Sequence, residues 1–455
     1  MGACTNDDEQ WSFSSASFVD RRSSKQVYDN VHGNIYLDPL SLKFIDTEQF
    51  QRQVLIGLVH MVYPGASHSR FEHSLGVYWL AGEAVHAIKA CQGLELGIDR
   101  FDMETVKLAG LLHDVGHGPF SHLFEKAILP QILHGSNWSH EDMSVRMIDY
   151  IVDEHNIDVD SQRLKKVKCV KDKKFLYDIV ANGRNGIDVD KFDYIVRDTR
   201  ACGMGCNFQF RRLMESMRVI GDEICYRAKD NLTIHKLFST RADLHRTVYT
   251  HAKVKAIDLM LVDALTEADK FLKISSSIQE PAEFWKLDDS IMKTIETSSD
   301  HELKESRDLI RRIRRRDLYR FCNEFSVPKD SLDHFKAITP QDIVCSQRSG
   351  GIALREEDVA VSNVKIDLTR GRNNPLERYF TPKYDYESDE KFTIQDDRIS
   401  HLLPAFYQDM IVRVYSKKPE LVGAVSEAFE NFQLKTFGTK PQVHSTPEKK
   451  KRRVI

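Results

Sequence analysis

The ten residues HDVGHGPFSH, from His113 to His122, say most about the fold of this 455-residue sequence. Apolar residues at helical spacing lead into this stretch, and its two glycines and its proline then end the helix. Neighbouring side chains on a helix point about 100° apart, so His113 and Asp114 can share one cation only beside a helix end. Three histidines and an aspartate within ten residues are more than a simple helix cap needs, and we predict a metal-binding turn.

Two further segments, RFEH and NGIDVDK, supply side chains of the same kind, His73 and Asp190. Taken alone, each is more simply explained as a satisfied polar group or a helix cap. Together with His113 and Asp114 they offer two imidazoles and two carboxylates, a ligand set suited to Fe, Mn, Zn or Co. The distribution of histidine supports this prediction, because nine of the 18 histidines fall between residues 60 and 140.

The composition excludes several classes of protein. Lys and Arg total 65 and Asp and Glu total 68, so the net charge of −3 rules out a protein-wide basic field for nucleic acid. No apolar run approaches the roughly 18 residues of a membrane span, and the polar, acidic start is not a secretory signal. The eight cysteines include one close pair and no second pair to complete a zinc knuckle. We therefore expect an intracellular protein with reduced thiols, in the nucleus or the cytoplasm, and no membrane partner.

Apolar periodicity divides the chain into a large, mainly α-helical unit at 25–275 and a smaller α+β lobe at 301–440, joined by a connector at 276–300. Residues 1–24 are expected to be a disordered arm, and the basic tail 441–455 is a solvated end or a nuclear import signal. The elements predicted within these units are helices at 75–88, 240–272, 301–322 and 426–434, a hairpin at 218–226, and strands at 359–368 and 410–415.

The four-residue ligand set resembles the metal-binding signature of the HD-domain phosphohydrolases. The sequence around its first histidine, YPGASHSRFEHSLG, resembles more closely the eukaryotic deoxynucleoside triphosphate (dNTP) triphosphohydrolases that join a SAM domain to an HD domain. The resemblance runs from about residue 25 to residue 440, so we expect this chain to lack the SAM domain. Some stretches, such as 358–372, look most like plant members.

This resemblance implies the fold, the activity and the cofactors. The implied fold is a mainly α-helical HD-domain fold with a smaller C-terminal α+β lobe for regulation and oligomerisation. The implied activity is metal-dependent hydrolysis of dNTPs to deoxynucleoside and inorganic triphosphate, which controls dNTP pools. One transition metal, Fe, Zn or Mn, would be bound by His73, His113, Asp114 and Asp190, and Mg²⁺ would arrive with the nucleotide.

The same resemblance assigns roles to four residues beside the metal. His122 would be the general acid for the departing 5′ oxygen, because an alkoxide leaves poorly without a proton. Glu125, where animal members have Asp, would orient the His122 ring. His117 and His140 would contact the phosphates.

Seven residues match family positions that bind the substrate. Three cations among them would clamp the triphosphate, which carries about four negative charges. Arg241, His245 and Tyr249 are four residues apart in turn, so one helix face would present them along about 12 Å. Tyr249 would crowd the 2′ carbon of the sugar and disfavour ribose. The seven residues are Arg70, Lys191 and Arg241 for the phosphates, Tyr194 and Asp198 near the deoxyribose, and His245 and Tyr249.

Two departures from the family lie near the sugar and activator sites. The segment from Arg52 to Gly57 is shorter than in the family, so a sugar-contacting Gln and a guanine-binding Arg have no clear counterpart. Thr250 stands where the family has a Gln beside the base.

The resemblance also implies GTP and dNTP activators that join subunits of a homo-oligomer, from dimer to tetramer. Without the resemblance, the matching residues are ordinary surface charges. The basic run 311–316 is either a nucleic-acid patch or, because Ile313 interrupts it, a helix at a subunit interface. The matching residues are Lys25, Asp46 and Gln51, with Arg316 and Arg320 from another subunit, for guanine nucleotide, and Arg212, Arg227 and Lys229 for deoxynucleotide.

Two other functions stay open at this point. One is an HD phosphohydrolase that acts on another nucleotide, such as a monophosphate or a cyclic nucleotide. The other is a protein that binds single-stranded nucleic acid weakly and has a weakened active site. The three-cation clamp favours a triphosphate over the first alternative, and the complete metal set argues against the second.

Overall fold

A computed structural model describes residues 24–52, 54–55, 57–160, 163, 173–348, 350, 352–368, 374 and 406–438, and the backbone of 383–384. The predicted arm up to residue 23 and the basic tail lie outside the described residues. Among the described helices, none combines the length and the apolar character that a membrane span requires.

The described chain confirms a mainly helical protein with a smaller α+β lobe. The helices are α1 Pro39–Ile45, α2 Glu48–Gln51, α3 Arg70–Leu96, α4 Arg100–Leu112, α5 Leu129–Ile132, α6 His140–Glu154, α7 Lys174–Val180, α8 Val189–Ala201, α9 Phe210–Glu215, α10 Asn231–Leu244, α11 Ala252–Leu272, α12 Ile274–Ser277, α13 Pro281–Phe284, α14 Ile291–Thr297, α15 Lys304–Arg314, α16 Pro340–Val344 and α17 Val422–Phe437. The strands are β1 Lys25–Asp29, β2 Gly33–Leu37, β3 Arg218–Ile220, β4 Glu223–Arg227, β5 Arg320–Ser326, β6 Val359–Asp367, β7 Lys383–Tyr384 and β8 Gln408–Ser416.

The helices α3 and α4 form the centre of the helical unit. α3 ends at Gly97, whose positive φ of 58° gives a left-handed C-cap. α4 begins two residues later with a capping box between Asp99 and Asp102. Because the connection is short, the two helices are antiparallel neighbours, and the first turn of α3 lies beside the last turn of α4. Apolar side chains such as Tyr78 and Leu111 are fully buried in the core between them and α11.

The C-terminal lobe is a three-stranded antiparallel sheet in the order β5-β8-β6, covered by α17. Alternating apolar residues of β6 and β8 meet in register, as in the pair Val361 and Val414. Val425 and Phe429 of α17 are buried against this sheet. The predicted strands at 359–368 and 410–415, the helix at 426–434 and the hairpin of β3 and β4 are all present.

Two predicted helices differ from the sequence pattern, one by a break and one by an earlier end. The helix predicted at 240–272 is broken, because a π-helical turn at His245–Tyr249 follows α10 and α11 starts only at Ala252. His251 provides the new N-cap, accepting a hydrogen bond from Lys253 N. The helix predicted at 301–322 ends at Arg314, and the chain then pairs with β8 as an edge strand.

The predicted connector contributes to the protein core. α13 and α14 lie within 276–300, and their side chains Phe284 and Ile295 are fully buried in the same apolar cluster as α11 and α15. The loop between these two short helices contacts the stretch from His113 to His122, because Asp289 of the loop accepts a hydrogen bond from the backbone N–H of Phe120.

Candidate metal centre and catalytic site

Four side chains converge where the start of α3, the end of α4 and the start of α8 meet. His73 lies in the first turn of α3, His113 caps the end of α4, and Asp190 lies in the first turn of α8. His73 Nε2 is 3.1 Å from Asp190 Oδ1, and His113 Nε2 is 3.6 Å from the same oxygen. Asp114 Oδ1 lies 3.4 Å from His113 Nε2. The four predicted ligands therefore face one point.

The chemistry of these groups suits a metal ion. Ligand atoms of His73, His113 and Asp114 all lie within 4.8 Å of one another. The buried Nε2 of His113 has no hydrogen-bond partner among the described residues, and a buried polar atom without a partner needs an explanation. A metal ion supplies one, because two imidazoles and two carboxylates form a mixed N/O set of the kind that binds first-row metals.

Both carboxylates of this set are charged at neutral pH. Burial alone would raise the pKa of Asp114, but His113, Arg70 and His117 hold that pKa well below its usual value. Burial acts in the same way on Asp190, but the close contact with His113 and the hydrogen bond with His73 lower its pKa far below the ordinary range. Two charged carboxylates beside two imidazoles attract a cation.

A buried carboxylate that the sequence analysis missed, Asp193, orients His73. Its Oδ2 lies 2.7 Å from His73 Nδ1, which leaves Nε2 of the ring facing the ligand set. Arg197 donates hydrogen bonds of 2.8 Å to Asp193 and to Asp29, and His32 Nε2 lies 2.6 Å from Asp193. These contacts tie the turn of the β1–β2 hairpin to a predicted metal ligand.

Gly76 on α3 leaves the space for this network. A Cβ atom at this position would lie 1.9 Å from Asp193 Oδ1 and 2.6 Å from an Arg197 nitrogen, so a side chain does not fit. One feature of the sequence points to Asp193. This residue follows Asp190 by three positions, so the two lie on the same face of α8.

The second group of predicted residues lies along and beside the turn from His113 to His122, which we call the catalytic turn. His117 stacks on His140 with ring centroids 3.9 Å apart, and His122 lies 5.0 Å from His117. Glu125 Oε2 is 2.9 Å from His140 Nδ1 and 3.7 Å from His122 Nδ1. The hydrogen bond of Glu125 thus goes to His140, and its contact with His122 is longer than a hydrogen bond.

The electrostatics of this group bear on proton transfer. Burial lowers the pKa of His122, and Arg70 and Lys126 act in the same direction, whereas Glu125 raises it. Burial alone would raise the pKa of Glu125, but His122 and His140 lower it to about 2. The His122 side chain is half exposed, at 51%. Negative charge brought to this exposed side would favour the protonated ring.

Two of the predicted phosphate-binding cations contact carboxylates in the structure. Arg70 Nε donates to Ser121 Oγ at 2.9 Å, and its guanidinium forms an ion pair with Asp114. Lys191 Nζ lies 3.0 Å from Asp188, the N-cap of α8. Both cations therefore border the metal-ligand set and are held by one strong partner each.

The third cation belongs to a trio that does not share a continuous α-helix. Arg241 is on α10, whereas His245 and Tyr249 belong to the π-helical turn, which changes the spacing of the side chains. The rings of His245 and Tyr249 are in edge contact, with centroids 5.0 Å apart. Arg241 donates hydrogen bonds of 2.8 and 3.3 Å to the backbone carbonyls of residues 367 and 368, so the end of β6 holds this guanidinium.

Predicted sugar-contacting residues also meet. The Tyr249 hydroxyl donates to Asp198, and His68 Nε2 lies 2.7 Å from the other oxygen of that carboxylate. Tyr194 lies beside Arg241, which lowers the pKa of the phenol while burial raises it. His68 was not singled out by the sequence analysis, because one buried histidine in a polar stretch has no distinctive spacing.

The five residues predicted for guanine nucleotide are all exposed. Lys25 belongs to β1, Asp46 follows α1, and Gln51 ends α2, where its amide donates to a backbone carbonyl. Arg316 and Arg320 line a surface cavity of about 280 Å³. Arg316 has a positive φ of 61° and donates to a backbone carbonyl.

The three residues predicted for deoxynucleotide lie around the turn between β4 and α10. Arg227 ends β4, and Lys229 lies in the 3₁₀ turn that follows. Arg212 on α9 reaches the same turn, with its Nε 3.0 Å from Asp230.

Comparison with known proteins matches two family models to this chain. The HD domain model matches residues 70–174, and the model of the HD associated region matches residues 208–367. A deoxynucleoside triphosphate triphosphohydrolase SAMHD1 homolog of Dictyostelium discoideum is 40% identical over 93% of this chain and 83% of its own length. The SAMHD1 triphosphohydrolases of Gallus gallus and Homo sapiens are 36% and 33% identical, each over 92% of this chain and over 76% and 75% of their own lengths.

Proposed function

This chain belongs to the family of HD-domain deoxynucleoside triphosphate triphosphohydrolases, and from that membership we propose that it hydrolyses dNTPs to deoxynucleoside and inorganic triphosphate. The convergence of His73, His113, Asp114 and Asp190, with a buried Nε2 of His113 that has no hydrogen-bond partner in the described chain, carries the proposal.

The ligand set supports one transition metal, Fe, Zn or Mn, and we assign Mg²⁺ to the incoming nucleotide. A metal ion held by these four residues would supply Lewis acidity to activate water for attack on the α-phosphorus. The bond that breaks joins this phosphorus to the sugar 5′ oxygen, so the deoxynucleoside is the leaving group and the three phosphates stay together as triphosphate. Asp193 fixes the His73 ring in the orientation that this binding requires.

The protein binds and orients the triphosphate through Arg70, Lys191 and Arg241. Each of these cations bonds a protein group, so nucleotide binding exchanges those contacts for phosphate oxygens. Arg70 would be freed for the phosphates if Asp114 held a metal ion, because the guanidinium is paired with that carboxylate in the structure. His117 and His140 border the same space and contact the phosphates.

His122 then protonates the departing 5′ oxygen. Its half-exposed ring lies beside His117 and Arg70, where the phosphates approach, and their negative charge raises the fraction of protonated His122. At the other end, the hydrogen-bonded pair of Tyr249 and Asp198 borders the sugar, and the Tyr249 ring excludes a 2′ hydroxyl. A substrate pool of dNTPs fits the nucleus or cytoplasm.

The direct test is product analysis. Purified, metal-loaded protein is incubated with each dNTP in the presence of GTP, and free tripolyphosphate and deoxynucleoside are measured. We expect both products in equal amounts from dNTPs. Release of monophosphate or pyrophosphate instead would assign the site to another nucleotide reaction. Binding of single-stranded nucleic acid without any hydrolysis would favour the third function considered above.

We further propose that GTP and a dNTP activate the enzyme by joining subunits into a tetramer. The match of Lys25, Asp46, Gln51, Arg316 and Arg320 to family positions for guanine nucleotide supports this proposal, and all five side chains are exposed. A ligand that binds only the assembled state shifts the oligomer equilibrium by mass action. We expect monomer or dimer without nucleotide, and a more active tetramer with GTP plus dNTP, by sedimentation velocity.

The Arg316→Ala variant should weaken this shift and leave the bound metal unchanged. Arg100→Ala is the matched control, because this arginine is 89% exposed at the start of α4 and far along the chain from the activator residues. One unchanged species, equally active with and without GTP, would mean that the eight activator residues are ordinary surface charges.

A further inference from the structure

Arg52, in the segment shorter than its family counterpart, lies under the catalytic turn. Its Nη2 donates to the backbone carbonyl of Val115 at 2.7 Å and also to the carbonyl of His117. Its Nη1 donates to the carbonyl of Leu287 at 3.3 Å, and the guanidinium lies 4.7 Å from the centre of the Phe284 ring. One side chain therefore joins the catalytic turn to the loop between α13 and α14.

Asp289 of that loop bonds the same turn at a second point. Its Oδ1 accepts the backbone N–H of Phe120 at 2.7 Å, and its Oδ2 accepts the N–H of Leu55 at 2.8 Å. Both carboxylate oxygens are thus used as acceptors, and each holds a different segment. Burial raises the pKa of Asp289 to about 7, against the two N–H groups and Arg52, which favour its charged form.

The bond to Phe120 falls at the point where the turn is most strained. Phe120 and Ser121 both have positive φ, at 58° and 61°. Residues with a Cβ adopt this left-handed conformation only when the surroundings hold them there. Ser121 Oγ accepts hydrogen bonds from Arg70, and His122 follows directly. The backbone path here decides where Arg70 and His122 point.

We infer that Arg52 and Asp289 are positioning residues that fix the backbone of the catalytic turn for the hydrolysis proposed above. The inference rests on that proposed function for its catalytic meaning. Neither residue is in the metal-ligand set, and the bonds described above join backbone atoms rather than catalytic side chains. They act on His117 through its own carbonyl and on His122 through the strained pair that precedes it. Their loss should therefore lower kcat rather than remove metal.

The main test compares Asp289→Asn with Asp288→Asn. In Asp289→Asn one of the two acceptor oxygens becomes an NH₂ group that faces a backbone N–H, so one of the two bonds is lost. Asp288 is the matched control, because the hydrogen bonds of its carboxylate within the described chain go to Ser290, two residues along, and not to the catalytic turn. We expect kcat for tripolyphosphate release to fall about 10- to 100-fold in Asp289→Asn, with KM and metal content close to wild type, and no change in Asp288→Asn.

Arg52→Ala and Arg52→Lys provide a second, graded series. Lysine can reach one carbonyl but not both, so the kcat of Arg52→Lys should lie between those of wild type and Arg52→Ala. Both residues hold the same catalytic turn. The fold decrease in kcat of the double variant Arg52→Ala/Asp289→Asn should therefore be smaller than the product of the fold decreases of the two single variants. Loss of metal or a raised KM that accounts for the whole effect would overturn the inference, as would kcat values equal to that of Asp288→Asn.

Amide hydrogen exchange tests whether these residues hold the backbone of the catalytic turn, and it does not depend on hydrolysis. Peptides that cover residues 113–122 should exchange faster in Asp289→Asn than in wild type or Asp288→Asn, while peptides from β6 and β8 stay unchanged. Equal exchange in the three proteins would overturn the inference even if the enzyme is active. If wild type releases no tripolyphosphate but the exchange difference is present, the proposed function fails and the positioning of the turn stands.

Discussion

Asp114→Ala and His113→Ala will each abolish hydrolysis and lower the metal bound per chain. Each change removes one of four converging ligands, and the alanine at 114 also leaves Arg70 without its ion-pair partner. A three-ligand remnant with an uncompensated guanidinium beside it binds a divalent cation weakly. The measurement is elemental analysis of the purified variants beside a tripolyphosphate assay.

His134→Ala is the control for the loss of a histidine from this region, because His134 is exposed and outside the ligand set. It should keep both metal and activity. Thermal unfolding with and without added metal separates loss of the ion from loss of the fold, since a ligand stabilises only the state that binds it. Full metal occupancy together with full activity in Asp114→Ala would remove this site from the reaction.

His122→Ala will keep its metal and lose most turnover, about 10²- to 10⁴-fold in kcat, which is the usual worth of general acid catalysis. His122 lies outside the metal-ligand set, with its ring 5.0 Å from that of His117. The general acid must be protonated, so wild-type kcat should fall as pH rises through the pKa of His122 in the complex. This limb of the pH profile should be absent in His122→Ala.

Glu125→Gln should lower kcat less than His122→Ala does, because the hydrogen bond of Glu125 goes to His140 and its contact with His122 is 3.7 Å long. A neutral amide at 125 also removes the charge that favours protonated His122, so the alkaline limb should move to lower pH. A His122→Ala variant within about threefold of wild-type kcat would show that another group donates the proton.

The sequence was sufficient to single out the four residues that we propose as metal ligands, because their spacing is unusual. His113 and Asp114 next to glycines at a helix end have few structural explanations, and the matching His73 and Asp190 lie at helix starts. The strands β6 and β8 were also predicted, because apolar residues alternate along them. In these cases the local pattern of residues is enough to predict the role or the secondary structure of the segment.

Other parts depend on partners that are distant in sequence. Asp193 and Arg197 look like ordinary polar positions of an amphipathic helix, and only the fold brings Asp29 to them. Arg52 and Asp289 bond backbone atoms, which have no residue identity and leave no sequence signal. The break before α11 has no glycine or proline to mark it, and the Arg-rich helix α15 ends because β8 pairs with the residues that follow.

The buried network around Asp193 has a consequence for how the protein folds. His32 and Asp29 contact Asp193 and Arg197 across 161 and 168 residues of sequence. Closing so long a loop costs entropy before any contact compensates for it, and such contacts slow folding. We therefore expect the orientation of His73 to be set late, after the hairpin docks on α8. We expect partly folded chains, and chains still being synthesised, to bind metal poorly, so the ion enters as one of the last steps to the native state.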